Sequence, residues 1–146
     1  MLYVVTGPPA AGKSSWIEAR ATARDIVIDL DRITRALTGP GAPQWNHDEI
    51  ASKVALRARY AAIDEAVKHL HQVDVYLIHT MPSARWRARY QRLGAEIVTV
   101  DPGEDVVRER VAAMRSDEMK RVVSRWYRQY RKGDARPVTA QATRQW

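Results

Sequence analysis

Short apolar runs alternate along the chain with longer stretches in which apolar residues return every three or four positions. Leu2-Tyr-Val-Val-Thr6, Ile26-Val-Ile28, Val73-Asp-Val-Tyr-Leu-Ile78 and Ile97-Val-Thr-Val100 are rich in β-branched and aromatic residues, the composition of strands covered on both faces. Between the second and third runs, Leu56, Tyr60, Ile63, Val67 and Leu70 recur at the spacing of one helical stripe and predict a long helix from His47 to His71. Asn46 is its expected N-cap, with Glu49 three residues on, and Trp45 is placed to pack on Ile50. Further helices are expected over Trp16 to Ala23, over Arg32 to Thr38, after Pro82, and from Gly103 to Met114. A last one follows the polar break Arg115-Ser-Asp-Glu118. Strands alternating with helices require right-handed crossovers, so the expected fold is a three-layer α/β domain: a four-stranded parallel sheet flanked by helices.

Gly39-Pro-Gly-Ala-Pro43 holds neither a helix nor a central strand and reads as a loop. Residues 133–146 contain Gly133 and Pro137, are mostly polar and lack a period, so residues 1–132 are expected to form the domain and the rest a mobile tail. With 146 residues, 45% hydrophobic and 28% charged, the chain suits one core and excludes a disordered protein. No stretch nears the roughly 18 consecutive apolar residues of a membrane span. A strand already at Leu2 is expected to leave no room for a signal peptide, which points to the cytoplasm. The absence of cysteine excludes disulfides, thiolate metal sites and thiol chemistry. Charge is uneven: residues 1–81 carry nine basic and nine acidic residues, and residues 82–132 carry thirteen and seven. The net +7 therefore lies in the second half, as expected of a region facing a polyanion or a phosphorylated ligand.

Directly after the first strand stands Gly7-Pro-Pro-Ala-Ala-Gly12-Lys13-Ser14, which satisfies G-x-x-x-x-G-K-[ST] at every position. The spacing lets a loop wrap a phosphate with successive backbone N–H groups, and glycine permits the close approach. Gly7, Pro9, Ala10, Ala11, Gly12, Lys13, Ser14 and Ser15 are therefore the expected nucleotide contacts, with Lys13 on the β and γ phosphates and the Ser14 hydroxyl on Mg²⁺.

The second strand ends in Asp29-Leu-Asp31, which puts two carboxylates at the edge of a parallel sheet where ligands sit. Phosphoryl transfer to a hydroxyl needs a carboxylate to orient the acceptor and take its proton. Asp31 is the expected base, placed as N-cap of the helix from Arg32; capping alone is its other use. Asp29 is expected to be structural or linked to Mg²⁺. Arg35, one turn on, and Arg32 are candidates for holding an acceptor phosphate.

The order of the loop Gly7 to Ser14, then Asp29-Leu-Asp31-Arg32, then Leu77-Ile-His-Thr80, then Val98-Thr-Val-Asp101 resembles the 5′-kinase domain of bacteriophage-type polynucleotide kinases over most of residues 1–130. The resemblance implies a P-loop kinase domain with its first strand inside the sheet and a short lid bearing an arginine, best matched by Arg115. It implies transfer of the γ-phosphate of ATP, or of another nucleoside triphosphate, with Mg²⁺, to a 5′-hydroxyl end of DNA or RNA. Asp31 matches the family's base, and the acceptor-side arginine is displaced by one residue to Arg35. Arg110 falls at a nucleotide-side position. Where the family usually has an aspartate, this chain has His79, followed by the matching Thr80. A histidine cannot replace a Mg²⁺-directed carboxylate, but it can bond an acceptor oxygen or simply pack in the core. At this length no phosphatase or ligase domain is expected, and any end-healing partners are expected to be separate proteins. A small acceptor, as in zeta-toxin-like kinases, and an ATP-switched nucleic-acid-binding module are the alternatives.

Two basic stripes suit a nucleic-acid strand: Arg85, Arg89 and Arg92, and Arg121, Arg125, Arg128 and Lys132. Trp86 and Trp126 fall at helical spacing, where core packing is the expected use. His47, His69 and His71 fit no ligand spacing and are read as helix surface.

Overall fold

The structure, a computed structural model, describes residues 1–44, 47–114 and 116–131. Four strands, β1 (Leu2–Thr6), β2 (Ile26–Ile28), β3 (Val75–Ile78) and β4 (Glu96–Thr99), pair in the order β2-β3-β1-β4, all parallel. The first strand therefore lies inside the sheet, and every strand ends at one edge. Among the described residues six α-helices connect or follow them: α1 (Lys13–Glu18), α2 (Leu30–Leu37), α3 (Glu49–Ala66), α4 (Ala84–Arg92), α5 (Glu104–Ala113) and α6 (Asp117–Arg131).

Alternation along β1 divides the core. Leu2 and Val4 join Ile63 and Ala66 of α3 and Tyr90 of α4 on one side of the sheet. Val5 joins Trp16 and Ile17 of α1, Val107 and Val111 of α5, and Val123, Trp126 and Tyr127 of α6 on the other. Burying each such aliphatic side chain contributes roughly 1.5–3 kcal/mol, and two layers of them fix the edge on which the site is built. Among the described residues no helix is long and apolar enough to cross a membrane.

Several boundaries differ from the sequence expectation, each for a local reason. Helix α1 begins at Lys13 and stops at Glu18, short of Ala23, because Asp25 folds back on Thr22, accepting from its N–H at 2.7 Å and its hydroxyl at 3.0 Å. Strand β3 starts at Val75 and not Val73, since Asp74 turns to the N-terminal ammonium at 2.9 Å. Helix α3 is capped by Asp48, whose side chain accepts from Ile50 N–H at 2.9 Å, and passes into a 3-10 turn over Val67–His69. The expected cap Asn46 and its neighbour Trp45 lie outside the described residues. The buried stripe of α3 is Ala55, Arg59, Ile63 and Ala66, one position round from the stripe through Leu56 and Tyr60, which are half-buried. Trp126 is buried and Trp86 is half-buried against Tyr60 at 5.7 Å, the packing role expected of both. The expected tail, with Lys132, lies outside the described residues.

Candidate active site

Three of the four strands deliver candidate residues to one edge, beginning with the loop that leaves β1. Gly7 has φ +143°, and a Cβ there would lie 2.2 Å from Val100 O, so no other residue fits between the loop and the residue after β4. Ala10 and Gly12 are left-handed, at φ 59° and 97°; residues in that region turn successive N–H groups to one side and make an anion-binding concavity. Ala10 bears the backbone strain of a non-glycine residue there, of order 1–2 kcal/mol. Ala11 is buried in the core behind the loop, and Pro9 and Ser15 are half-buried on either side of it. Lys13 is buried, and its Nζ donates to Gly7 O at 2.9 Å and Pro8 O at 2.6 Å. Burial pushes its ammonium down to about 8, with Asp29 and Asp31 pulling the other way. Both carboxylates therefore act on the P-loop lysine.

The capping role expected of Asp31 passes to Asp29, which was expected to be structural or linked to Mg²⁺. Asp29, not Asp31, is the N-cap of α2; its Oδ1 accepts from Asp31 N–H at 3.0 Å. Its Oδ2 lies 3.5 Å from Ser14 Oγ, at the outer limit of a hydrogen bond. Burial, and then Asp31, raise the Asp29 carboxyl, while the Asp31 N–H, Arg32 and Arg35 lower it. A hydroxyl and a carboxylate at this distance fit Mg²⁺, which keeps most of its water and takes few protein oxygens beside phosphate. Among the described residues no cluster of three histidine or acidic side chains is arranged to hold a metal by itself. Asp31 stands in the first turn of α2 with its side chain 61% exposed, and its Oδ1 is 3.1 Å from His47 Nε2. His47 thus precedes α3 and pairs with the candidate base, whereas His69 lies on Glu65 and His71 on Gln72 at the surface. Arg32 and Arg35 are exposed on α2.

The end of β3 combines aromatic and basic groups. His79 Nδ1 bonds the Tyr90 hydroxyl at 2.7 Å, and its ring meets Trp86 and Tyr90 edge-on at 5.8 Å each. Burial first, then Arg59 and Arg87, hold His79 down to about 3, so it is neutral at physiological pH. Thr80 offers its carbonyl to Trp126 Nε1 at 3.0 Å. A cavity of about 420 Å³ opens beside it, lined by Thr6, Pro82, Ser83, Arg87, Trp126 and Tyr130 among others. Sequence reasoning missed Arg59 and Arg87; Arg59 falls four residues from both Ala55 and Ile63, and that spacing alone marks it as inward-facing.

From the arginine-rich half, Arg110 of α5 donates from Nη1 to Ala10 O at 3.0 Å, which sets it against the P-loop backbone. Helix α6 is tied to the same edge by the Trp126 bond and by Tyr127, whose hydroxyl donates to Asp101 Oδ1 at 2.7 Å. The connection from α5 to α6 is three residues, Met114 to Ser116, and its Arg115 lies outside the described residues.

The sequence matches the model of a family described as AAA domain over residues 2–133. That family is of the P-loop NTPase type and includes kinases. No curated protein matches the chain. With a complete phosphate loop, an all-parallel sheet and a match that runs from β1 past α6, this chain belongs to the AAA domain family, as a P-loop kinase-like nucleotide-binding domain.

Proposed function

We propose that the protein is an ATP-dependent kinase of a 5′-hydroxyl end of DNA or RNA. The observation that carries the reading is the convergence at one sheet edge of Lys13, Ser14, Asp29 and Asp31, with both carboxylates acting on the lysine. The order of motifs along the chain and the positive second half support a polynucleotide acceptor over a neutral metabolite. The loop Gly7–Ser14 holds the phosphates of ATP, Lys13 neutralises charge on the β and γ groups, and Arg110 braces the loop from α5. Ser14 and Asp29 would hold Mg²⁺, which would supply positive charge to stabilise the transferring phosphate. Asp31 accepts the proton of the acceptor hydroxyl as its oxygen bonds to the γ-phosphorus and the bond to the leaving ADP oxygen breaks. His47 holds Asp31 Oδ1 and leaves the second carboxylate oxygen to the acceptor. Arg115 is assigned to the transferring phosphoryl group, and Arg35, Arg32, His79 and Thr80 to the acceptor side.

The test is transfer of label from γ-labelled ATP with Mg²⁺ to a 5′-hydroxyl oligonucleotide, beside nucleosides and sugars. Labelling of the oligonucleotide that falls by about 10² or more in Asp31→Ala and in Lys13→Ala is expected. Labelling of a nucleoside or sugar alone moves the protein to the small-acceptor kinases, and ATP binding without transfer to anything makes it a binding module.

A further inference from the structure

The cavity of about 420 Å³ at the carboxyl edge has the size of a site for one small organic group. It opens where Thr6 ends β1, between the β3–α4 connection and the last turns of α6. One wall is a pair of rings: Tyr130 stacks on Trp126 with centroids 5.0 Å and planes 15° apart. Trp126 is buried and fixed by its bond to Thr80 O, and no further ring among the described residues meets Tyr130. Pro82 adds a second apolar surface. Walls of this kind suit a flat group that stacks.

The polar groups of the cavity narrow the choice. The Thr6 hydroxyl is committed to Val98 O and the Thr99 hydroxyl, and the Ser83 hydroxyl to the backbone N–H of Trp86. Arg87 donates from Nε to Pro82 O at 3.2 Å, which orients its guanidinium plane and leaves both Nη groups without a bond among the described residues. On the same helix Arg89 is held by Asp64 at 2.6 Å. The described residues that line the cavity include no carboxylate, so the fork of Arg87 has to find its acceptors in a ligand. Guanine carries O6 and N7 side by side on one edge, two acceptors matched to such a fork. Adenine sets an amino donor beside N7, cytosine presents an amino group, and thymine offers one oxygen beside a methyl group. A phosphate would satisfy the fork and leave the rings without a partner.

We propose that this cavity binds a guanine base at or next to the 5′ end of the acceptor strand, stacked on Tyr130 and read by Arg87. The proposal rests on the kinase reading above and adds to it a base selectivity that phosphorylating a 5′-hydroxyl does not itself require. GTP as a donor carries the same base. The cavity adjoins Thr80, which follows β3 on one side of β1, whereas Arg110 meets the P-loop from α5, which follows β4 on the other, and this favours the acceptor.

Affinity is measured with the full chain and MgADP, so that binding is read without transfer. The probes are labelled 5′-hydroxyl thymidine oligonucleotides carrying guanine, 7-deazaguanine, adenine or cytosine at the first or the second position. Guanine at one of the two positions is expected to bind about tenfold or more tighter than the other natural bases there, the discrimination of one two-bonded arginine contact. 7-Deazaguanine, which lacks the N7 acceptor, should lose most of that preference on the unaltered protein. Arg87→Lys keeps the charge and removes the fork, so its ratio of guanine to thymine affinity should fall toward one. Tyr130→Leu should weaken every oligonucleotide by about tenfold, and Tyr130→Phe should restore the loss. Equal affinity for guanine and 7-deazaguanine, equal affinity for all four bases, or a guanine preference that survives in Arg87→Lys overturns the proposal. A preference for GTP over ATP as donor that disappears in Arg87→Lys puts the donor's base in the cavity and overturns the assignment to the acceptor. Transfer to oligonucleotides without base preference removes the guanine site and leaves the kinase reading standing. A guanine preference in a protein that phosphorylates no hydroxyl removes the kinase reading and supports the site.

Discussion

Burial holds the Lys13 ammonium at about pKa 8, against 10.5 for a free lysine side chain. Between those values the unfolded chain binds the proton that the folded protein has released, so stability rises with pH across the window, by about 3 kcal/mol at most. Urea denaturation at pH 7.5, 8.5 and 9.5 should show this rise in the wild type and lose it in Lys13→Met. The series stops there because the raised phenols of Tyr3, Tyr76, Tyr90 and Tyr127 lower stability once the unfolded tyrosines ionise near pH 10. Bound phosphate favours the charged lysine, so ATP affinity should weaken above pH 8 in the wild type alone; parallel pH dependence in the two proteins would sink the assignment. The loop was legible in the sequence because its glycines and lysine have a fixed spacing set by the size of a phosphate. Arg59 was not, because an arginine inside a helix ordinarily faces water and only its register with Ala55 and Ile63 says otherwise. His47 was hidden for another reason: its bond to Asp31 spans sixteen residues and two elements, which periodicity does not encode.

Helix boundaries decide which aspartate does what, and the starts of α2 and α3 were legible to within two residues while the ends of α1 and α3 were not. A start at Leu30 makes Asp29 the cap and leaves Asp31 in the first turn, open to an acceptor. Capping and charge can be separated there by substitution. Asparagine caps as well as aspartate does, so Asp29→Asn should match or exceed the wild-type stability, since it removes a carboxylate that burial disfavours in its ionised form. Asp29→Ala loses the cap and should cost about 1 kcal/mol. On the proposed reading both variants need about tenfold more Mg²⁺ for half-maximal transfer, the effect of losing one charged ligand contact. Thermal melting alongside a Mg²⁺ titration checks both halves, and an asparagine variant with wild-type Mg²⁺ dependence would make Asp29 a cap and nothing more. The parallel order of strands was readable because strand-length apolar runs separated by helix-length spacers permit little else. The N-terminal half of the α3 stripe was displaced by one position because Leu56 and Tyr60 are larger than Ala55 and Arg59 is charged, whereas Ile63, Val67 and Leu70 do face the core.

At the scale of the molecule, the excess positive charge becomes meaningful once paired arginines are set aside. Arg89 and Arg108 are neutralised by Asp64 and Glu104, and Arg110 is engaged with the P-loop. Arg85 and Arg92 on α4 and Arg121, Arg125 and Arg128 on α6 remain exposed. Helix α6 is pinned to the carboxyl edge by Trp126 on Thr80 and Tyr127 on Asp101, so its basic face travels with the site and not apart from it. A single strand crossing three to five of these arginines should release counterions with a slope of log affinity on log salt of about −2 to −3.5. Replacing Arg121, Arg125 and Arg128 together by glutamine should flatten that slope by about 2, the share of three phosphate contacts. Those three side chains lie outside the P-loop contacts, so MgATP affinity in the same variant should hold. Titration of a fluorescent 5′-hydroxyl oligonucleotide between low and physiological salt reads the slope directly. A slope near zero would remove the polyanion from the picture while leaving the P-loop intact, and the basic faces of α4 and α6 would then be solvated surface. A steep slope that survives the triple substitution would instead move the strand onto the basic face of α4, with Arg85 and Arg92.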